Sequence, residues 1–140
     1  MNNSLDRFLV AQQQYFYIAL EEIQQGRKQS HWMWYIFPQI QGLGMSAISQ
    51  EYAIKDLQEA KEYLADFTLR NNLIEISDAL LQNESNDARE IMGFPDDMKL
   101  RSSMTLFALA DDKYEVFKKV LDKFFDGKMD DKTIQILNSL

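Results

Sequence analysis

Cysteine is absent from the 140 residues, and histidine occurs once, proline twice and glycine five times. Without cysteine there is no disulfide, no thiolate nucleophile and no cysteine-based zinc site, and a lone histidine removes clustered imidazole ligation as well. No metal site is therefore expected. Scarce glycine and proline, with no Ser-, Gly- or Pro-rich block, leave no linker or tail, so order is expected almost end to end. Long apolar runs are also missing. None exceeds the stretch from Trp32 to Phe37, far short of the roughly 20 residues that a membrane helix needs. The opening residues, MNNSLDRFLVAQQQ, lack a basic segment followed by an unbroken apolar core, and a cytoplasmic location is expected.

Positive charge is in deficit, with 15 Lys and Arg against 22 Asp and Glu and a net charge of -7. Phosphate neutralisation needs a cationic face, so general nucleic-acid binding is not expected, while a small local cationic site is compatible with the balance. There is no Gly-x-Gly-x-x-Gly string and no phosphate loop ending in Gly-Lys-Ser or Gly-Lys-Thr, so no cofactor is implied.

What is present is apolar residues at helical spacing. At 46% hydrophobic, the chain supports one core, read as a single domain over 1–140. Leu5, Phe8, Tyr15, Ala19 and Ile23 recur at helical intervals behind Asn3 or Ser4 as a cap, and Gly26 is the stop. A short helix is expected between Ser30 and Phe37, where Pro38 disfavours continuation, and QGLG (41–44) reads as a turn. A long helix is expected from Ser49 to about Asp66, carrying Tyr52, Ala53, Leu57, Ala60 and Leu64 on one face. Leu69, Leu73, Ile76 and Leu80 mark the next, and a brief helix from Asp87 to Met92 closes at Gly93. DDMKLRSSMTLFALA (96–110) is apolar most of the way round and belongs in the middle of the fold. Helices from Tyr114 and from Asp131 complete an all-α chain, a non-parallel (orthogonal) bundle of about seven helices with no convincing strand alternation.

Three acidic pairs, Asp96-Asp97, Asp111-Asp112 and Asp130-Asp131, are assigned to helix starts, where a carboxylate caps free N–H groups and complements the macrodipole. After the first pair comes KLRSSMT. Lys99 and Arg101 at the mouth of a buried helix, with Ser102 and Ser103 just inside, are the parts of an anion or polar-ligand pocket. The plainer account is surface cations paired with the aspartates, and hydroxyls bonded to carbonyls one turn back.

The other concentration of rare chemistry is GRKQSHWMWYIFPQ (26–39), which holds the only histidine and both tryptophans. Arg27 and Lys28 just past a helix end are favourable for dipole reasons alone, and aromatics default to core. Together, however, a guanidinium, an imidazole and two indoles suit stacking a ring while holding an acidic group.

GRKQSHWMWYIFPQIQGLG, YAI, EAKEYL and DDMKLRSSMTLF together resemble the small bacterial family catalogued as domain of unknown function 1810, also called Rv1873-like, over almost the whole chain. That resemblance implies a mainly helical single domain and carries over no catalytic residue. Family members often bear the label calpastatin, an inhibitor type that is disordered and poor in hydrophobic residues; this composition contradicts the label.

Two functional expectations follow. In the first, Gly26–Trp34 meets Asp96–Ser103 in a pocket for a small anionic or nucleotide-like ligand. Arg27, Lys28, Lys99 and Arg101 hold the anion, Ser102 and Ser103 line it, Trp32 or Trp34 stacks on a ring, and His31 transfers protons in a metal-independent hydrolase or transferase. In the second, HWMWYIF is partly exposed and receives a protein partner.

Overall fold

The computed structural model describes residues 5–140, so the expected cap at Asn3 or Ser4 lies outside the described residues. Helix α1 (Asp6–Gln24) buries Phe8, Ala11, Gln12, Phe16, Ala19, Leu20 and Ile23, the three-and-four spacing that forms one continuous face. Gly26 follows in the left-handed region at φ 88°, which glycine adopts without steric penalty. After α2 (Met33–Ile36) and α3 (Ala47–Glu51) come α4 (Leu57–Ala65), α5 (Phe67–Leu81), α6 (Ala88–Met92), α7 (Asp96–Ala110), α8 (Val116–Phe125) and α9 (Asp131–Ser139). The described residues contain these nine helices and no strand, only an isolated bridge between Ile40 and Ile54. None of the helices is long and apolar enough to cross a membrane.

The core is built around α7, which packs against α4, α6, α8 and α9, while α1 lies on α5 and α5 on α8. Leu100, Met104, Leu106 and Phe107 of α7 are all solvent-inaccessible, in keeping with a helix apolar on most sides.

Two expectations about local structure are corrected. The helix expected from Ser49 to Asp66 is two helices, because the chain between them turns to pair with the segment after α2. Gln41 N–H donates to Ile54 O at 2.8 Å and Ile54 N–H to Gln39 O at 2.8 Å. The Asp56 carboxylate then restarts the helix by accepting from Glu59 N–H at 2.8 Å. The acidic pairs also divide by role. Asp130 caps α9 through Thr133 N–H at 3.1 Å, but Asp111 stands at the C-terminal end of α7 and accepts from Lys113 N–H at 3.1 Å. Asp96 and Asp97 occupy the first turn of α7 behind Pro95, which offers no side-chain cap, and both are engaged in ion pairs.

Candidate functional site

The segment after Gly26 is organised by a residue that sequence reasoning missed. The Glu22 carboxylate, in the last turn of α1, accepts from Gln29 N–H at 2.7 Å, Ser30 N–H at 3.0 Å, Ser30 Oγ at 2.6 Å and the Trp32 indole at 2.9 Å. Burial alone would push its pKa up, but the hydrogen bonds from Ser30, Gln29 and Trp32 prevail and hold it at about 2. Nothing in the local pattern separates Glu22 from Glu21; only the fold of the following loop selects it. Lys28 N–H donates to Ile91 O at 2.7 Å, joining this loop to α6.

The two rare-residue segments do meet, at Asp96. Its carboxylate holds Lys28 Nζ at 3.0 Å and Lys99 Nζ at 3.1 Å. Lys28 sits over the Trp32 ring at 4.9 Å and Lys99 over Trp34 at 4.3 Å. Lys28 also donates to Ser30 O at 2.5 Å, and its side chain is 7% exposed. The arrangement is a clamp in which one carboxylate is shared by two ammoniums, each on an indole face.

The remaining expected site residues lie elsewhere. Arg101 turns to the loop before α9, donating to Lys128 O at 2.9 Å and Met129 O at 2.8 Å. Ser102 bonds Met98 O at 3.2 Å and Asp130 Oδ2 at 3.0 Å. Ser103 is fully buried with an unpartnered Oγ. Arg27 and His31 are exposed. The cations named for an anion thus do not converge on one point.

A cavity of about 380 Å³ opens at Trp34, walled by the loop after Pro38, by α3 and by Tyr52. Its lining includes Trp34, Gln39, Leu43, Gly44, Ser49 and Tyr52, and no Lys, Arg, His, Asp or Glu. Gly44 is required by close approach: a Cβ there would stand 2.8 Å from Ser49 Cβ and 3.2 Å from Trp34 Cη2. Gly44→Ala is expected to lower stability by about 1–3 kcal/mol, as overpacking does, measurable by urea unfolding; an unchanged midpoint would refute the contact. Burial, and then the neighbouring Glu51 charge, raise the pKa of Tyr52, so its hydroxyl stays protonated at neutral pH.

Gln39 is the unusual member of the lining. It is 5% exposed, and its Nε2 is buried without a hydrogen-bond partner. The other lining amides are bonded, Gln41 Nε2 to Lys55 O at 3.2 Å and Gln50 Nε2 to Met45 O at 2.9 Å. Gln12, equally buried, is fully used: its Nε2 donates to Tyr35 O and Tyr63 Oη, each at 2.9 Å, and its Oε1 accepts from Asn72 at 3.0 Å. Sequence reasoning passed over Gln39 because FPQIQGLG reads as a proline stop and a turn. The available signal was a polar residue enclosed between Pro38 and Ile40.

The family described as "Protein of unknown function (DUF1810)" matches residues 2–137. The crystal structure of the conserved hypothetical protein Rv1873 from Mycobacterium tuberculosis is similar at a TM-score of 0.93, with 42% identity and 96% of each chain covered. No curated protein matches the sequence.

Proposed function

The chain belongs to the DUF1810 family, and from its all-α frame we propose a small-molecule binding protein whose ligand occupies the cavity between Trp34 and Tyr52. The observation that carries this reading is the cavity of about 380 Å³ itself, walled by Trp34 and Tyr52 and lined also by Gln39, a buried residue whose Nε2 has no hydrogen-bond partner. An unmet buried donor costs about 1–3 kcal/mol, and buried amides in folded proteins are bonded as a rule. Gln12 is met entirely by protein groups, so the same core can satisfy an amide where no ligand is involved.

The Lys28–Asp96–Lys99 clamp then has a supporting role. It fixes Trp34, the residue shared by the clamp and the cavity, from the far side of the junction. Binding without turnover is the reading favoured here, because His31 is exposed and does not line the cavity. The aromatic segment is a poor docking surface for a partner, since Trp32, Met33, Tyr35, Ile36 and Phe37 are buried.

The test is a thermal-shift screen across nucleosides, carboxamides, sugar phosphates and carboxylates, with Gln39→Met alongside. A ligand at 100 times its Kd stabilises a fold by about 2.7 kcal/mol. The expected result is a stabilising compound whose effect vanishes in Gln39→Met; stabilisation that survives in the variant places the ligand elsewhere and defeats the proposal. Without ligand, Gln39→Met is expected to raise the unfolding free energy by about 1 kcal/mol, because an unmet donor is replaced by an apolar chain of similar length. A structural glutamine would show a loss. Arg27→Ala and His31→Ala, both at exposed positions, are expected to keep the thermal shift and to change stability by less than about 0.5 kcal/mol.

A further inference from the structure

We infer that the groove between α1 and α3 is a second binding site, separate from the Trp34 cavity, whose ligand is a small compound with an alkylated ammonium head held by Tyr15, Tyr35, Tyr52 and the Glu51 carboxylate. The groove, of about 400 Å³, has Val10 and Tyr15 on its α1 side and Ile48 and Glu51 on its α3 side. Its aromatic lining is one row of phenols. Tyr15 packs on Tyr35 with ring centroids 5.8 Å apart, and Tyr35 on Tyr52 at 5.1 Å. Tyr35 is buried, Tyr52 half-buried and Tyr15 exposed, so the row runs from the core out to solvent.

Charge selects the occupant. Glu51 is the only acidic residue of the lining, which holds no Lys, Arg or His, and among the described residues no ion pair engages its carboxylate. Burial and then the Glu51 charge raise the pKa of Tyr52, and the Arg7 charge lowers it, so both charges reach that phenol. Arg7, however, lies outside the lining. Its guanidinium is paired with Glu59 at 3.3 Å and donates to Glu51 O at 2.8 Å and Ala53 O at 2.7 Å. An anion would meet like charge here, and an uncharged guest would gain only contact area. A cation gains both the carboxylate and the electron-rich rings, which attract it within about 6 Å of their centroids. Alkylation follows from hydration. A primary ammonium holds its water strongly, whereas N-methyl groups shed water easily and pack on the rings and on Val10 and Ile48, both exposed. The net charge of -7 draws cations toward the molecule.

Choline, tetramethylammonium and neohexyl alcohol, the uncharged carbon isostere of choline, are titrated into the wild-type protein, Tyr15→Leu and Glu51→Gln, with the amide resonances of α1 and α3 followed by ¹⁵N NMR. Both substituted positions are exposed, and circular dichroism verifies that the variants are folded. Neither position lines the Trp34 cavity, so a cavity ligand keeps its thermal shift in both, and the two readings fall separately. Expected is saturable binding of an ammonium compound, at least about tenfold weaker binding of the alcohol, and at least about threefold weaker ammonium binding in each variant. An alcohol that binds as well as choline makes the groove merely apolar and overturns the inference. Ammonium binding undiminished in either variant overturns it, as does the absence of saturable shifts with both ammonium compounds at tens of millimolar. A short peptide carrying trimethyllysine is the last arm: binding at least about tenfold tighter than that of choline assigns the groove to a modified protein and overturns the small-compound assignment.

Discussion

Asp96→Ala is expected to lower the unfolding free energy by about 3 kcal/mol. Lys28, with its side chain 7% exposed, would keep an ammonium that has lost its carboxylate, and removing one partner of a buried pair costs about 3–5 kcal/mol. The lower end applies because the Asp96 side chain is 19% exposed. Lys99→Met should cost less, about 1 kcal/mol, since Asp96 still neutralises Lys28 and the Lys99 side chain is 26% exposed. Urea unfolding of both variants, with Lys28→Met and the Lys28→Met/Asp96→Ala double variant, closes the cycle. A coupling energy near zero between Lys28 and Asp96 would show that the clamp does not hold the two segments together.

The second large effect concerns Glu22. Its alanine variant leaves the Trp32 indole, the Ser30 hydroxyl and two backbone N–H groups without their common acceptor, and a loss of about 2–3 kcal/mol is expected. The pH dependence has a fixed sign. The folded pKa, about 2, lies below the group's ordinary value of 4.5, so folding favours the ionised form. The contribution is fully present above pH 4.5 and is lost as pH falls from there through about 2. Solvent screening at this partly exposed carboxylate limits it to about 1–2 kcal/mol. Stability curves of wild type and Glu22→Gln should therefore converge as pH drops below about 4; a constant gap down to pH 2 would contradict the role given to the four donors.

The contrast between these residues and the ones chosen from sequence has physical causes. The buried face of α5, Leu69, Leu73, Ile76 and Leu80, repeats at helical spacing, so it was legible. So were the stop at Gly26 and the cap at Asp130, which depend on residues close in sequence. The break between α3 and α4 was hidden because Tyr52, Leu57, Ala60 and Leu64 keep helical spacing across it, while its cause is a long-range pairing with Ile40. Asp56 followed by Glu59 is the pattern of a helix start and was the one local clue.

The two segments rich in rare residues meet at the Asp96 carboxylate. Where each side chain points needed more. Residues two apart on a helix face different ways, so Lys99 and Arg101 had to diverge, and they do. Gln39 was out of reach, because an amide is unpartnered only with respect to every group that packs around it.

The most direct measurement of the central claim is the side-chain amide resonance of Gln39, assigned by its loss in Gln39→Met and followed by ¹⁵N NMR as the best stabilising compound is titrated. A ligand seated in the cavity lined by Gln39 and Trp34 moves that resonance along with the Trp34 indole signal, in proportion to saturation, and this is the predicted result. Movement of signals elsewhere, with the Gln39 amide and the Trp34 indole unchanged at saturation, would contradict the account.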